Sequence, residues 1–239
     1  MEEHRDDIGS DRADESDAAQ GPLPGLPARL LEVFLDPGRL MERLASEPRW
    51  ADALVVGAAV VTLSVALIPV DIFIEMNRQA MLERGGEFPE MGERGRNFMR
   101  FVIPMGSLIG TLLITGLFAG VYTLVFAFVL GDEGRFVQYL AAISHAFFIP
   151  ALFGLLLTPL RISTADPQLT LNLASFAFFL PEGYFLNVLK VFDLTQIWST
   201  LVIARGVHAI DRRRSFGSAA AILLVIFAGV ALVVGRFMP

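Results

Sequence analysis

No cysteine occurs among the 239 residues, which excludes a disulfide framework, a thiolate metal centre and a cysteine nucleophile. Lysine is nearly absent, with Lys190 alone against 18 arginines. No basic cluster is interleaved with aromatics, so no nucleic-acid partner is expected. His4, His145 and His208 lie far apart, and there is no HExxH helix, GxSxG elbow or phosphate-cradling GxxxxGK loop. The expectation is a protein without catalytic, cofactor or metal residues, and not an enzyme. No signal peptide is expected either. Residues 1–20 hold eight acids and two arginines, the opposite of a basic start followed at once by an apolar stretch.

Charge is missing most consistently from four long segments. Residues 53–70, 101–131, 136–160 and 215–235 contain no Asp, Glu, Lys or Arg. An apolar run of roughly 18 residues or more has the length needed to cross the hydrocarbon as a helix. The fold class is therefore all-α, a polytopic integral membrane protein with five transmembrane helices preceded by short amphipathic interfacial helices. The spans are expected at about 51–74, 104–130, 135–158, 184–210 and 215–237, forming one domain over 26–239. Pro104 is expected in the first turn of the second span. Residues 169–180 are apolar but too short to cross, and read as a re-entrant or interfacial piece.

The net charge of −6 resides in the N-terminal tail, because residues 21–239 hold equal numbers of acids and bases. A segment this acidic and poor in large apolar groups cannot offset its ordering entropy, so residues 1–25 are expected to be disordered. Two amphipathic helices follow. Leu30, Leu31, Phe34 and Leu35 share one face, and Leu40, Met41 and Leu44 line the next helix after an Asp36-Pro37 start. Both are expected to lie on the bilayer surface, with Trp50 at headgroup level. Arg212, Arg213 and Arg214 in a four-residue loop place that loop and the N-terminus in the cytoplasm by the positive-inside rule.

Few groups inside the spans invite a role. Gly106, Gly110, Gly116 and Gly120 fall on one helical face, which suits close approach by another helix of the fold or of a second copy. Pro150 frees a backbone carbonyl near Ala146 that the imidazole of His145 could satisfy, and an intramembrane histidine is also a candidate proton relay. Lys190, Asp193, Thr200, His208 and Asp211 follow helical spacing in the fourth span. Lys190 and Asp193 are placed to pair at i, i+3, or else both extend to the span's wet end.

Three stretches carry a family resemblance: LEVFLDPGRLMERL at 31–44 with PRW at 48–50, GDEGRFVQY at 131–139 leading to Ile149-Pro150, and VFDLTQIW at 191–198 followed by Gly206. With these the chain resembles the bacterial branch of the Yip-domain family, named for Ypt/Rab-interacting protein, over residues 30–236. The resemblance implies five spans, a cytoplasmic N-terminus and a short C-terminus on the far side. Eukaryotic members bind Rab-type GTPases and shape or sort vesicle membranes, and the family defines no catalytic residues. The arginine-for-lysine bias points to a GC-rich bacterial coding sequence and a bacterial cytoplasmic membrane, so a Rab partner is not expected. The expected function is membrane organisation or partner scaffolding, with the lipid bilayer, other membrane proteins or a second copy as partners. The alternative is a small transporter or channel subunit that uses polar groups of the third and fourth spans.

Overall fold

Two helices open the structure, α1 (Leu26–Leu35) and α2 (Pro37–Ser46). The computed structural model describes residues 22–177 and 179–238, so residues 1–21 of the expected tail lie outside the described residues. Asp36 separates the two helices by accepting a hydrogen bond from the Arg39 N–H at 3.1 Å, with Pro37 in the first turn of α2. Leu40, Met41 and Leu44 form the expected apolar face, but it is buried in the protein core and not laid on a surface. In α1 the buried residues are Arg29 and Val33, while Leu31 and Leu35 face outward.

Helix α3 (Ala51–Leu67) stops at Ile68-Pro69, and α4 (Val70–Glu83) leaves at 81° to it. The expected first span, 51–74, is thus bent inside its C-terminal third. Pro69 is the cause, because its ring forces Ile68 out of the helical region, to ψ 128°. Helix α5 (Glu93–Thr123) runs on through a π turn at Leu124–Val129, 37 residues in all. At 1.5 Å per residue that is about 55 Å, against a hydrocarbon core of about 30 Å. The charged turns before Phe101 therefore extend beyond the apolar part, and Pro104 lies well inside the helix and not in its first turn.

The third apolar run is three nearly continuous helices, α6 (Phe136–Ala146), α7 (Phe148–Leu156) and α8 (Thr158–Thr164). The joints at Phe147 and Leu157 lie three and two residues before Pro150 and Pro159, where a proline interrupts the backbone ladder. The described residues of 169–180 hold a 3₁₀ turn, Leu173–Phe176, beside a bridge between Asn172 and Asp193. The expected fourth span is broken into α9 (Tyr184–Val191) and α10 (Leu194–Ile210), so its polar residues do not form one continuous helical stripe. Helix α11 (Phe216–Phe237) closes the chain, with Ser215 accepting from the Ser218 N–H at its start.

Among the described residues, three helical stretches are long and apolar enough to cross a membrane: Glu93–Val129, Phe136–Leu156 and Phe216–Phe237. A fourth joins them if α3 and α4 count as one bent span. No strand occurs among the described residues. Helix α3 packs on α5 and α7, and α10 packs on α11, α2 and α6. Gly206 permits the last contact, since a Cβ there would meet the Ala142 Cβ at 2.8 Å and the Met41 Sδ at 3.1 Å. The outer faces of α5 and α11 are apolar, with Leu113, Leu117, Val225 and Val233 all exposed. Such a surface suits lipid and not water.

Candidate functional site

The most deeply buried charge is on α1. The Arg29 side chain reaches inward between α3 and α6 and is 1% exposed. Its guanidinium forms an ion pair with Asp52 at the start of α3 and donates to the Arg49 carbonyl at 3.4 Å. It also meets His145 Nε2 at 3.1 Å. A guanidinium only donates, so Nε2 accepts and the ring proton resides on Nδ1. Nδ1 then donates to the Ala141 carbonyl at 2.8 Å, one turn back in α6. The carbonyl that the imidazole satisfies is thus Ala141 and not the one near Ala146, and its other nitrogen is occupied by Arg29. Phe34, five residues further along α1, packs edge-on against Phe148 and Trp198. The network holds α1 against α3, α6, α7 and α10.

A second cluster closes the same end. The α5–α6 loop turns at Gly131, whose φ of +75° is costly for any residue with a Cβ. Arg214 forms a two-pronged ion pair with Asp132 at 2.5 and 2.6 Å. Asp211 accepts from the Glu133 N–H at 3.0 Å and from the Arg213 side chain at 2.7 Å. The Arg213 guanidinium, with the N–H groups of Arg213 and Glu133, holds the Asp211 carboxyl well below the usual carboxylate range. Arg212 reaches Glu42 of α2 at 2.8 Å. His208 Nδ1 meets the Arg214 carbonyl at 2.7 Å, which places this candidate residue in the loop closure. The two short loops and the leading helices are therefore tied together at one end of the bundle.

Pro150 and Asp193 come together at the opposite end, in a cavity of about 200 Å³ whose wall includes Ser64, Arg161 and Gln196. The Asp193 carboxylate caps α10, accepting from the N–H of Thr195 at 2.6 Å and of Gln196 at 3.2 Å. It does not pair with Lys190, which lines a separate cavity with Asp166, Gln168 and Ser175. The break at Phe192 removes the i, i+3 geometry that a continuous helix would have supplied. The glycine face of α5 is also not used within the fold. A Cβ added at Gly106, Gly110, Gly116 or Gly120 would meet nothing within 4 Å.

Sequence reasoning missed Arg29, Asp132 and Arg214 as site residues. Arg29 and Glu32 are the only charges in α1, but nothing in that spacing names Asp52 or His145 as partners. A model of the Yip1 domain matches residues 31–235. The chain belongs to the Yip1 domain family. No curated protein and no solved structure gives a match. The three stretches that carry the resemblance each set a feature of this Yip1 domain. The first forms α1 and α2, the second makes the ion-locked loop and the start of α6, and the third supplies the Asp193 cap and Trp198. With its long apolar helices, this is an integral membrane protein that resides in a lipid bilayer.

Proposed function

We propose that this Yip1 domain is a non-enzymatic membrane-organising or partner-scaffolding protein of a bacterial cytoplasmic membrane, with its N-terminus in the cytoplasm and five crossings. The observation that carries the reading is the construction of the end that holds α1 and α2. Arg29, Asp52, Asp132, Asp211, Arg213 and Arg214 are all engaged in holding helices and loops together. Beside exposed charges such as Arg212 and Glu133, that end presents Leu31 and Leu35 outward, 58% and 73% exposed on a helix fixed from behind. A rigid platform with outward apolar side chains suits a partner helix or the lipid interface. The five crossings count α3 with α4 as one and α9 with α10 as another.

Three measurements test this. An impermeant thiol reagent applied from outside should label Glu87→Cys and spare Arg212→Cys, and the reverse pattern overturns the orientation. A photo-crosslinking residue at Leu31 or Leu35 in native membranes should give a discrete adduct with one protein or with lipid. Turnover of a substrate by the purified chain alone would count against the scaffold reading.

A second reading, a small transporter or channel subunit, draws on the cavity at Pro150, Arg161 and Asp193. It requires solute flux in proteoliposomes, and a flux-silent preparation removes it.

A further inference from the structure

A cleft of about 270 Å³ lies between α5 and the α10–α11 pair, floored by Ile143 and Phe147. Much of the lining comes from the middle of the helices, with Tyr122 near the end of α5 and Gln196 in the first turn of α10 at its two extremes. Ile226 and Phe227 are the central pair of α11, and Ile143 and Phe147 flank the centre of the Phe136–Leu156 stretch. Thr115 is central in the apolar part of α5, and Ser199 and Ile203 flank the centre of α10. The cleft is therefore at mid-depth, about 15 Å from either edge of a 30 Å hydrocarbon core. Its rim is formed by Ile114 and Val230, 50% and 38% exposed, so it opens sideways toward lipid and not toward water.

The lining is apolar except for polar groups of α5 and of α10, which face each other across it. There the hydroxyls of Tyr122 and Ser199, residues only 7% and 4% exposed, have no hydrogen-bond partner among the described residues, and neither has the Gln196 side-chain amide. Thr115 and Thr200 differ, since each donates to a carbonyl of its own helix at 2.8 Å. An unpaired hydroxyl in hydrocarbon costs several kcal/mol, so such groups are found with a partner. Three donors, one from α5 and two from α10, lining an apolar slot want an acceptor on an apolar molecule. The depth selects among lipids. A phospholipid carries its ester carbonyls at the edge of the hydrocarbon, far from Ser199, whereas an uncharged ring on a long apolar chain resides in the middle. The volume is just under the roughly 300–1,000 Å³ of small-molecule sites and suits one substituted ring with the start of its chain.

We infer that this cleft binds a neutral, carbonyl-bearing ring on an apolar tail, a quinone-type lipid, with Tyr122, Ser199 and Gln196 donating to its oxygens. The tail leaves past Ile114 and Val230 into the bilayer. The inference concerns binding alone and is independent of the scaffold reading.

The test uses the full chain in nanodiscs of phosphatidylcholine, titrated with a ubiquinone analogue bearing a ten-carbon tail. Native mass spectrometry should show a single adduct, and the melting temperature should rise with quinone but not with decane. Tyr122→Phe with Ser199→Ala keeps the packing and should weaken binding at least tenfold. Val230→Trp, at the exposed rim, should block the adduct while the protein still melts cooperatively. Equal response to decane, displacement of the quinone by excess phosphatidylcholine, or an adduct unchanged in the double variant would each overturn the assignment. So would the absence of any adduct, which would leave the three polar groups to water.

Discussion

The guanidinium of Arg29 donates to His145 Nε2 across 116 positions of sequence, and the same group pairs with Asp52. One residue of a ten-residue helix thus joins three elements. Together with the buried face of α2, this contact makes the leading helices part of the bundle.

Replacing Arg29 with Met should therefore free α1. It removes hydrogen bonds to a carboxylate and an imidazole, each kind worth about 1.5–3 kcal/mol when a charged group is involved. The Asp52 side chain is 41% exposed, so solvent takes up part of the loss and the expected cost is about 2 kcal/mol. Melting in detergent should fall, and trypsin should cut at Arg39 or Arg43 faster than in the parent protein. An unchanged cleavage rate would mean that α1 is held by its apolar contacts alone.

The loop lock should behave as a buried pair. Asp132 and Arg214 have side chains only 7% and 14% exposed. Removing one partner of such a pair typically costs about 3–5 kcal/mol, because the other is left buried and unpaired. Asp132→Ala and Arg214→Ala should each destabilise strongly, and the double variant should lose far less than the sum. Additive losses in a double-mutant melting cycle would show that the two charges act separately.

Acid should loosen the same end. The Asp211 carboxyl is held below its ordinary value of 3.8 in the folded protein. A depressed folded value means the stabilisation is complete above about 3.8 and is lost as pH falls below it. Asp211→Asn should lower the melting temperature at neutral pH and flatten its fall below pH 4. A parallel fall in parent and variant would assign the acid sensitivity to other carboxylates.

Lys190 and Asp193 should be independent. Asp193→Ala removes a helix N-cap, worth about 1 kcal/mol, whereas Lys190→Ala removes no ion pair with Asp193. The double variant should lose the sum of the singles. A double variant more stable than Asp193→Ala would restore the pairing expected from a continuous helix.

What the sequence determined by itself was the class and the lengths. Four charge-free runs and the absence of cysteine and catalytic motifs are local properties, and they suffice for an all-helical membrane protein with Leu40, Met41 and Leu44 on one face. Capping by Asp36 was legible for the same reason, since a cap acts within one turn. Tertiary structure decided where the helices break and which polar groups meet. Pro69 was visible, but whether a proline bends a helix, as there, or is carried inside one, as Pro104 is, depends on what neighbouring helices pack against the freed backbone. The break before Asp193 separated it from Lys190, and the glycines of α5 were left facing outward because α3 and α6 occupy other faces of that helix. Arg29 and His145 were legible as residues and not as partners. Their meeting requires α3, α6 and α1 to converge, and no spacing along the chain records that convergence.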